Sequence, residues 1–219
     1  MAAPSKQDLV AALLDRHGQT YADELGIDVA KNTPSPLFRL LCASVLMSAR
    51  ISSTISTDAA RSLAERGWRT AAKLAESTWD ERVAALHEAG YTRYQERTAT
   101  MLGELAETLQ DRYGGDLRKL RDAADRDPKA ERKLLEEFKG LGDVGADIFF
   151  REAQVAWDEL RPFADRRALD AAGRLKLGKD PEKLAELAGD GDFPRLVAAL
   201  VRTELDDDYD AVREAARAR

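Results

Sequence analysis

Apolar residues recur along this chain at the three-and-four spacing of helices from one end nearly to the other. Ala, Leu, Glu, Arg and Lys dominate, and β-branched runs are almost absent, so the pattern predicts an all-α fold. Ser5 predicts the cap of a first helix through Leu9, Leu13 and Leu14, which Gly18 ends. Thr33-Pro34-Ser35-Pro36 predicts a helix start. The helix expected over 37–49 is the most apolar; Leu40, Leu41, Val45 and Leu46 cover most of its circumference and place it centrally. Amphipathic helices follow over 54–66, 70–76, 79–89 and 93–113, with stops at Gly67, Gly90 and Gly114-Gly115. Asp127-Pro128 starts a helix with Leu134, Leu135 and Phe138 on one face, and Ile148, Phe149, Val155 and Trp157 mark the next. Arg161-Pro162-Phe163-Ala164 breaks the pattern. Helices resume near Asp165, at Asp180-Pro181 and at Asp192-Phe193-Pro194. Trp68, Trp79 and Trp157 are expected in the core.

Between two of these helices lies Lys139-Gly140-Leu141-Gly142-Asp143-Val144-Gly145. Its glycines match G-x-G-x-x-G, the dinucleotide-binding pattern. That pattern has meaning only after a strand, and the charged segment 130–138 before it has helical period. The context instead predicts helix, tight turn, helix. Gly140 would take a positive φ, Gly142 would let the backbone approach a ligand, and Leu141 would plug the two helices together. The amides opening the second helix would then form an anion site suited to phosphate. An ordinary helical hairpin with a glycine turn has the same spacing, and the two readings stay open at this level.

Composition narrows the chemistry. The chain has 219 residues, 44% hydrophobic and 34% charged, enough for one large domain or two small ones. No apolar run reaches the roughly 18 residues of a membrane span, and residues 1–5 lack the charged-then-apolar order of a leader. A cytoplasmic location is the expectation. Cys42 is the only cysteine, and His17 and His87 are the only histidines. These residues supply no disulfide, no cysteine zinc site and no cysteine-ligated iron–sulfur cluster, so no metal or cofactor is expected. The acidic run Asp206, Asp207, Asp208 and Asp210 is expected to be a solvated helix start. The net charge of −6 opposes DNA binding as a total. The charge on one face decides the matter, however.

Several segments together resemble the helix-hairpin-helix DNA glycosylases of the endonuclease III type. Leu135-Glu136-Glu137-Phe138-Lys139-Gly140-Leu141-Gly142-Asp143-Val144-Gly145-Ala146 is similar to that family's L-x-x-L-P-G-V-G-x-K-T-A hairpin. Leu46-Met47-Ser48-Ala49-Arg50 is similar to its L-L-S-A-Q segment, which ends a helix and sends a polar side chain into the gap left by an extruded base. Gly90-Tyr91-Thr92-Arg93 resembles its G-[LFY]-x-x turn. Phe163-Ala164-Asp165-Arg166-Arg167-Ala168 resembles the V-D-T-H-I segment that carries its catalytic aspartate. The resemblance spans roughly residues 37–178. There are departures. Val144 stands where bifunctional members place the lysine that attacks the sugar, which implies no lyase step by that route. The family's cysteine cluster is missing. Lys139 replaces proline, while Asp143 and Asp147 lie beside the hairpin amides.

The resemblance implies a two-lobed all-α fold with a central helix-hairpin-helix. Residues 36–158 would form one lobe, and 1–35 with 159–219 the second. It implies a monofunctional-type DNA N-glycosylase in base-excision repair, with double-stranded DNA as partner. Asp165 would be catalytic, at the cleft between the lobes. Lys139, Gly140, Leu141, Gly142, Val144, Gly145, Arg50, Arg93 and Arg166 would contact DNA. No feature predicts a membrane or protein partner. A catalytically inactive DNA-binding module and a helical interaction protein remain the alternatives. The charge around Lys139, Arg50, Arg93 and Arg166 separates them: a negative face there would favour the last.

Overall fold

The computed structural model describes residues 3–189 and 191–219. Met1 and Ala2, within the segment inspected for a leader, lie outside the described residues. Among the described residues there are helices and no strands, and no helix is long and apolar enough to cross a membrane. The helices in chain order are α1 (Lys6–His17), α2 (Tyr21–Glu24), α3 (Pro34–Ser48), α4 (Ser53–Glu65), α5 (Ala71–Ala75), α6 (Trp79–Glu88) and α7 (Gln95–Tyr113). They continue with α8 (Leu117–Ala123), α9 (Pro128–Glu136), α10 (Asp143–Ala153), α11 (Arg166–Arg174), α12 (Pro181–Ala188), α13 (Phe193–Asp206) and α14 (Tyr209–Arg217).

Their starts are chemically marked. Ser5 with Asp8, and Thr78 with Glu81, form reciprocal capping boxes. Proline occupies the first turn of α3, α9, α12 and α13, where its missing N–H costs nothing. Asp116, Asp127 and Asp165 accept first-turn amides of α8, α9 and α11.

The chain divides into two compact units. Leu25–Glu159 is the central unit, and Met1–Glu24 with Leu160–Arg219 is the terminal unit. Residues 25–35, expected with the termini, therefore fold with the central unit. Their Asn32 accepts from the Trp157 indole at 3.2 Å, which ties this segment to the unit's last residues.

In the central unit, α3 is the buried axis. Leu37, Phe38, Leu40, Leu41, Val45 and Leu46 are all buried on it, and α4, α8 and α10 pack around it. α5 and α6 pack on α7. Three expectations are corrected here. Trp79 is 41% exposed because its indole N–H donates to Thr100 on the surface. α10 stops at Ala153, so Val155 is exposed beyond its end while Trp157 folds back against Phe149. α8 is an additional helix.

In the terminal unit, α13 is central, with α1, α11, α12 and α14 packed on it. Leu13, Ala171, Leu196, Leu200 and Val212 are fully buried there. Asp208, expected to be solvated, instead joins α1 to the start of α14: its carboxylate accepts from Arg16 and His17, both at 2.7 Å.

Candidate nucleic-acid interface

The glycine-rich segment lies where α9 hands over to α10. Phe138 N–H donates to the Leu135 carbonyl and Leu141 N–H to the Phe138 carbonyl, both at 3.1 Å, so the turn tightens by successive three-residue bonds. Gly140 has φ +87°, and a Cβ there would sit 2.8 Å from the Met101 Sδ. Only glycine fits without strain. Leu141 is buried, and it packs so closely under α10 that a Cβ on Gly145 would lie 2.8 Å from its Cδ1. Leu141 is thus the apolar plug, and Gly145 is small because Leu141 sits beneath it.

Gly142 differs from both. Its φ is −88°, and a Cβ there would meet nothing within 4 Å. This backbone faces open space, with no side chain capping the first turn of α10. The amides of Asp143, Val144 and Gly145 have no intrahelical carbonyl to reach, which leaves an anion-seeking helix start. Gly140→Ala is therefore expected to destabilise by about 2 kcal/mol. Gly142→Ala is expected to shift stability by less than about 0.5 kcal/mol. Urea unfolding of both variants measures this, and equal losses would contradict it.

The acidic groups near the hairpin are largely engaged. Arg132 on α9 donates to the Asp147 carboxylate at 2.5 Å, approaches Glu136 at 3.5 Å, and sits 5.1 Å over the Phe150 ring. It clamps α9 to α10 and neutralises Asp147. Arg112 takes Glu137 at 2.5 Å. Asp143 stays exposed in the first turn of α10. Val144 is also exposed, at 53%.

A cavity of about 620 Å³ opens beside the turn, between the end of α3, the start of α7 and the hairpin. Arg50, Lys139, Gly140, Leu141 and Gly142 line it, so these expected contacts are brought together. Arg93 stands next to it, its guanidinium 5.0 Å over the Tyr94 ring. Tyr94, Arg97 and Met101 also line the cavity and were not singled out in the sequence. Lys139 approaches Glu104 at 3.6 Å. Among the described residues, neither Arg50 nor Arg97 makes an ion pair. The face around the hairpin therefore presents free positive charge on a protein of net charge −6.

Asp165 and Arg166 belong to the terminal unit. Asp165 is 8% exposed, and its Oδ1 accepts the Ala168 amide at 2.9 Å, capping α11. Arg166 is almost fully exposed and approaches Asp170 at 3.6 Å. Cys42 is buried in α3, and burial pushes its thiol up, away from the thiolate that a metal needs. One buried cysteine does not fit a four-thiolate iron–sulfur cluster.

No family model matches this chain, and no curated protein matches it in sequence. Among solved structures, it is similar to a trapped endonuclease III–DNA covalent intermediate, an estranged-adenine complex, with a TM-score of 0.51 and 19% identity. The match covers 91% of this chain and 85% of that one. The fold is therefore all-α and endonuclease III-like.

Proposed function

We propose that this protein is a DNA base-excision glycosylase of the monofunctional type, hydrolysing the N-glycosidic bond of a damaged or mispaired base in double-stranded DNA. The observation that carries the reading is the uncapped start of α10 at Gly142, flanked by Arg50, Arg97 and Lys139 around one cavity. Backbone amides and guanidinium groups are what a phosphate backbone requires. The endonuclease III-like fold is consistent with this, and the similar protein was trapped on DNA.

The chemistry falls to Asp165. Water adds to the sugar C1′, the C1′–N bond breaks with its electron pair leaving on the base, and the water proton passes to base or solvent. A carboxylate helps by stabilising the oxocarbenium-like charge or by accepting that proton. Val144, exposed on α10, has no amine, so no Schiff base forms there. Arg50 would fill the duplex where a base is extruded. Lys139 and the hairpin amides would hold phosphate, with Arg93 and Arg166 as further backbone contacts.

The test is base release from duplexes carrying single damaged or mispaired bases, together with binding across salt. Release with salt-sensitive binding supports the reading. Binding without release from any duplex supports an inactive binding module, the reading favoured by the net charge of −6 and by Val144. No binding at low salt ends both and leaves a helical interaction protein. Lys139→Gln is expected to lower affinity uniformly across sequences and to reduce the log–log salt slope by about 1. An unchanged slope would remove Lys139 from the phosphate contacts.

A further inference from the structure

We propose that a proton on Glu131 latches α9 in its seat, and that its loss loosens the hairpin and weakens its hold on a phosphate backbone. The latch lies wholly within the central unit. Its effect on DNA rests on the DNA-binding reading; its effect on the hairpin does not.

Little else holds α9. Of its nine residues only Glu131 and Leu135 are buried. They stand four positions apart, on one face of the helix. One aliphatic side chain and one carboxyl therefore make the seat. The carboxyl is fully buried, and among the described residues no N–H or O–H reaches either of its oxygens. A bare carboxylate is costly in such a place, whereas a neutral acid that donates its proton is not. The acceptor is Glu159, whose two oxygens already take Nε and Nη2 of Arg121 on α8. The other charges bearing on this group are acidic: Asp127 at the start of α9, and Asp158 beside Glu159. The second helix packed on α9 is α10, which carries Asp143, Asp147, Arg151 and Glu152. Without its proton, Glu131 sets a second negative charge against Glu159 with the one Arg121 guanidinium to balance both. α9 must then lift to admit water, or draw Arg121 away from Glu159.

Motion of α9 reaches the hairpin by two routes. One is the backbone, since the Leu135 carbonyl accepts the Phe138 amide that begins the turn. The other is Arg132, the neighbour of Glu131. Its guanidinium meets the Asp143 carbonyl at 3.4 Å, the Asp147 carboxylate at 2.5 Å and the Phe150 ring at 5.1 Å. Asp143 opens α10, where the phosphate-seeking amides lie. Burial first, and then the bond to Glu159, push the Glu131 carboxyl up to about 8. The latch is therefore closed below that pH and opens as pH rises through it.

Carbon-13 NMR of the full chain across this range tests the latch, read at the Glu131 carboxyl carbon and at the methyl groups of Leu141, the buried plug of the turn. The two are expected to titrate together near pH 8. In Glu131→Gln, which mimics the protonated acid, the Leu141 signals should stay flat. On one duplex at constant salt, the parent is expected to lose about fivefold in affinity across the titration beyond any loss shown by Glu131→Gln. The α-amino group titrates in the same range, but both proteins carry it and its effect cancels. By linkage, bound duplex should raise the proton affinity of Glu131 by the same factor. A Leu141 that stays still while Glu131 titrates, or equal losses of affinity in parent and variant, overturns the proposal and leaves the DNA-binding reading standing. Leu141 moving with Glu131 in a protein that binds no duplex at low salt would support the latch on the hairpin and end the DNA-binding reading.

Discussion

Asp165→Asn is expected to leave the folded protein intact and to slow base release by about two to four orders of magnitude. The substitution separates the two roles that one carboxylate can hold. As a helix cap, Asp165 needs only an oxygen that accepts the Ala168 amide, now 2.9 Å away. Asparagine supplies that oxygen and ranks with aspartate as an N-cap. As a catalyst, Asp165 needs its negative charge, either to stabilise the developing oxocarbenium or to take a proton from water. Asparagine supplies neither.

Asp165→Ala should lose both roles and cost about 1 kcal/mol in stability as well. The paired measurement is urea unfolding beside single-turnover base release. A parent and an asparagine variant that release base within threefold of each other would remove Asp165 from the chemistry. An asparagine variant that unfolds as easily as the alanine variant would show that the charge itself is structural.

The local signals in the sequence were those that act within four residues. Ser5, Thr78 and Asp127 announce helices because a side-chain oxygen reaches an amide three positions on. Gly140 announces the turn because its backbone angle excludes other residues. α8 leaves no clear signal in the sequence although Asp116 caps it, since seven residues are too few for a helical period to stand out. Trp79 was expected inside because its ring is large and apolar. Its indole N–H instead found Thr100, 21 positions away, and the ring stayed at the surface.

The cavity behaves like Trp79. Arg50, Arg97 and Lys139 come from three separate segments, and only tertiary packing places them around one volume. Arg97 carried a weak clue, lying four positions beyond Arg93 in the segment 93–113 that the pattern predicts as helical, although α7 itself starts only at Gln95. The clamp of Arg132 on Asp147 was equally hidden. From the sequence, Asp147 reads as a charge that repels phosphate; in the structure a guanidinium 2.5 Å away cancels it.

The least legible group carries the second large expectation. Glu131→Gln is expected to stabilise the protein by about 2 kcal/mol at pH 8.5 and to change it by less than about 0.5 kcal/mol at pH 4.5. Glu131 on α9 is fully buried, and neither of its oxygens accepts a hydrogen bond. Beside it, Arg121 of α8 donates through Nε and Nη2 to both oxygens of Glu159 at 2.5 Å, and its guanidinium lies 5.5 Å over the Trp157 ring. One cation thus faces two carboxyl groups, with Asp127 and Asp158 adding negative charge nearby. One proton resolves the conflict. Burial first, and then the bond to Glu159 and its charge, push the Glu131 carboxyl up to about 8. Burial opposes ionisation of Glu159, but hydrogen bonds from Arg121 and from protonated Glu131 outweigh it and hold Glu159 down at about 2.

The sign follows from which state holds the proton. From roughly pH 4.5 to 8, folded Glu131 keeps a proton that the unfolded chain has released, so this contribution is full below that window and is lost as pH rises through it. Glu159 acts in the opposite sense. Its contribution is full above about pH 4.5 and is lost as pH falls towards 2. Glutamine is a permanent mimic of the protonated acid, so it should abolish the alkaline decline and leave the acid limb alone. A single site forfeits about 1.4 kcal/mol per pH unit, and relaxation of the paired groups brings the net gain down to the order of 2 kcal/mol. Urea unfolding of parent and variant at pH 4.5, 6.5 and 8.5 measures the divergence. Parallel profiles would mean that Glu131 is ionised throughout. The variant would then lose stability by the same amount at every pH, because Arg121 would have been balancing two charges all along.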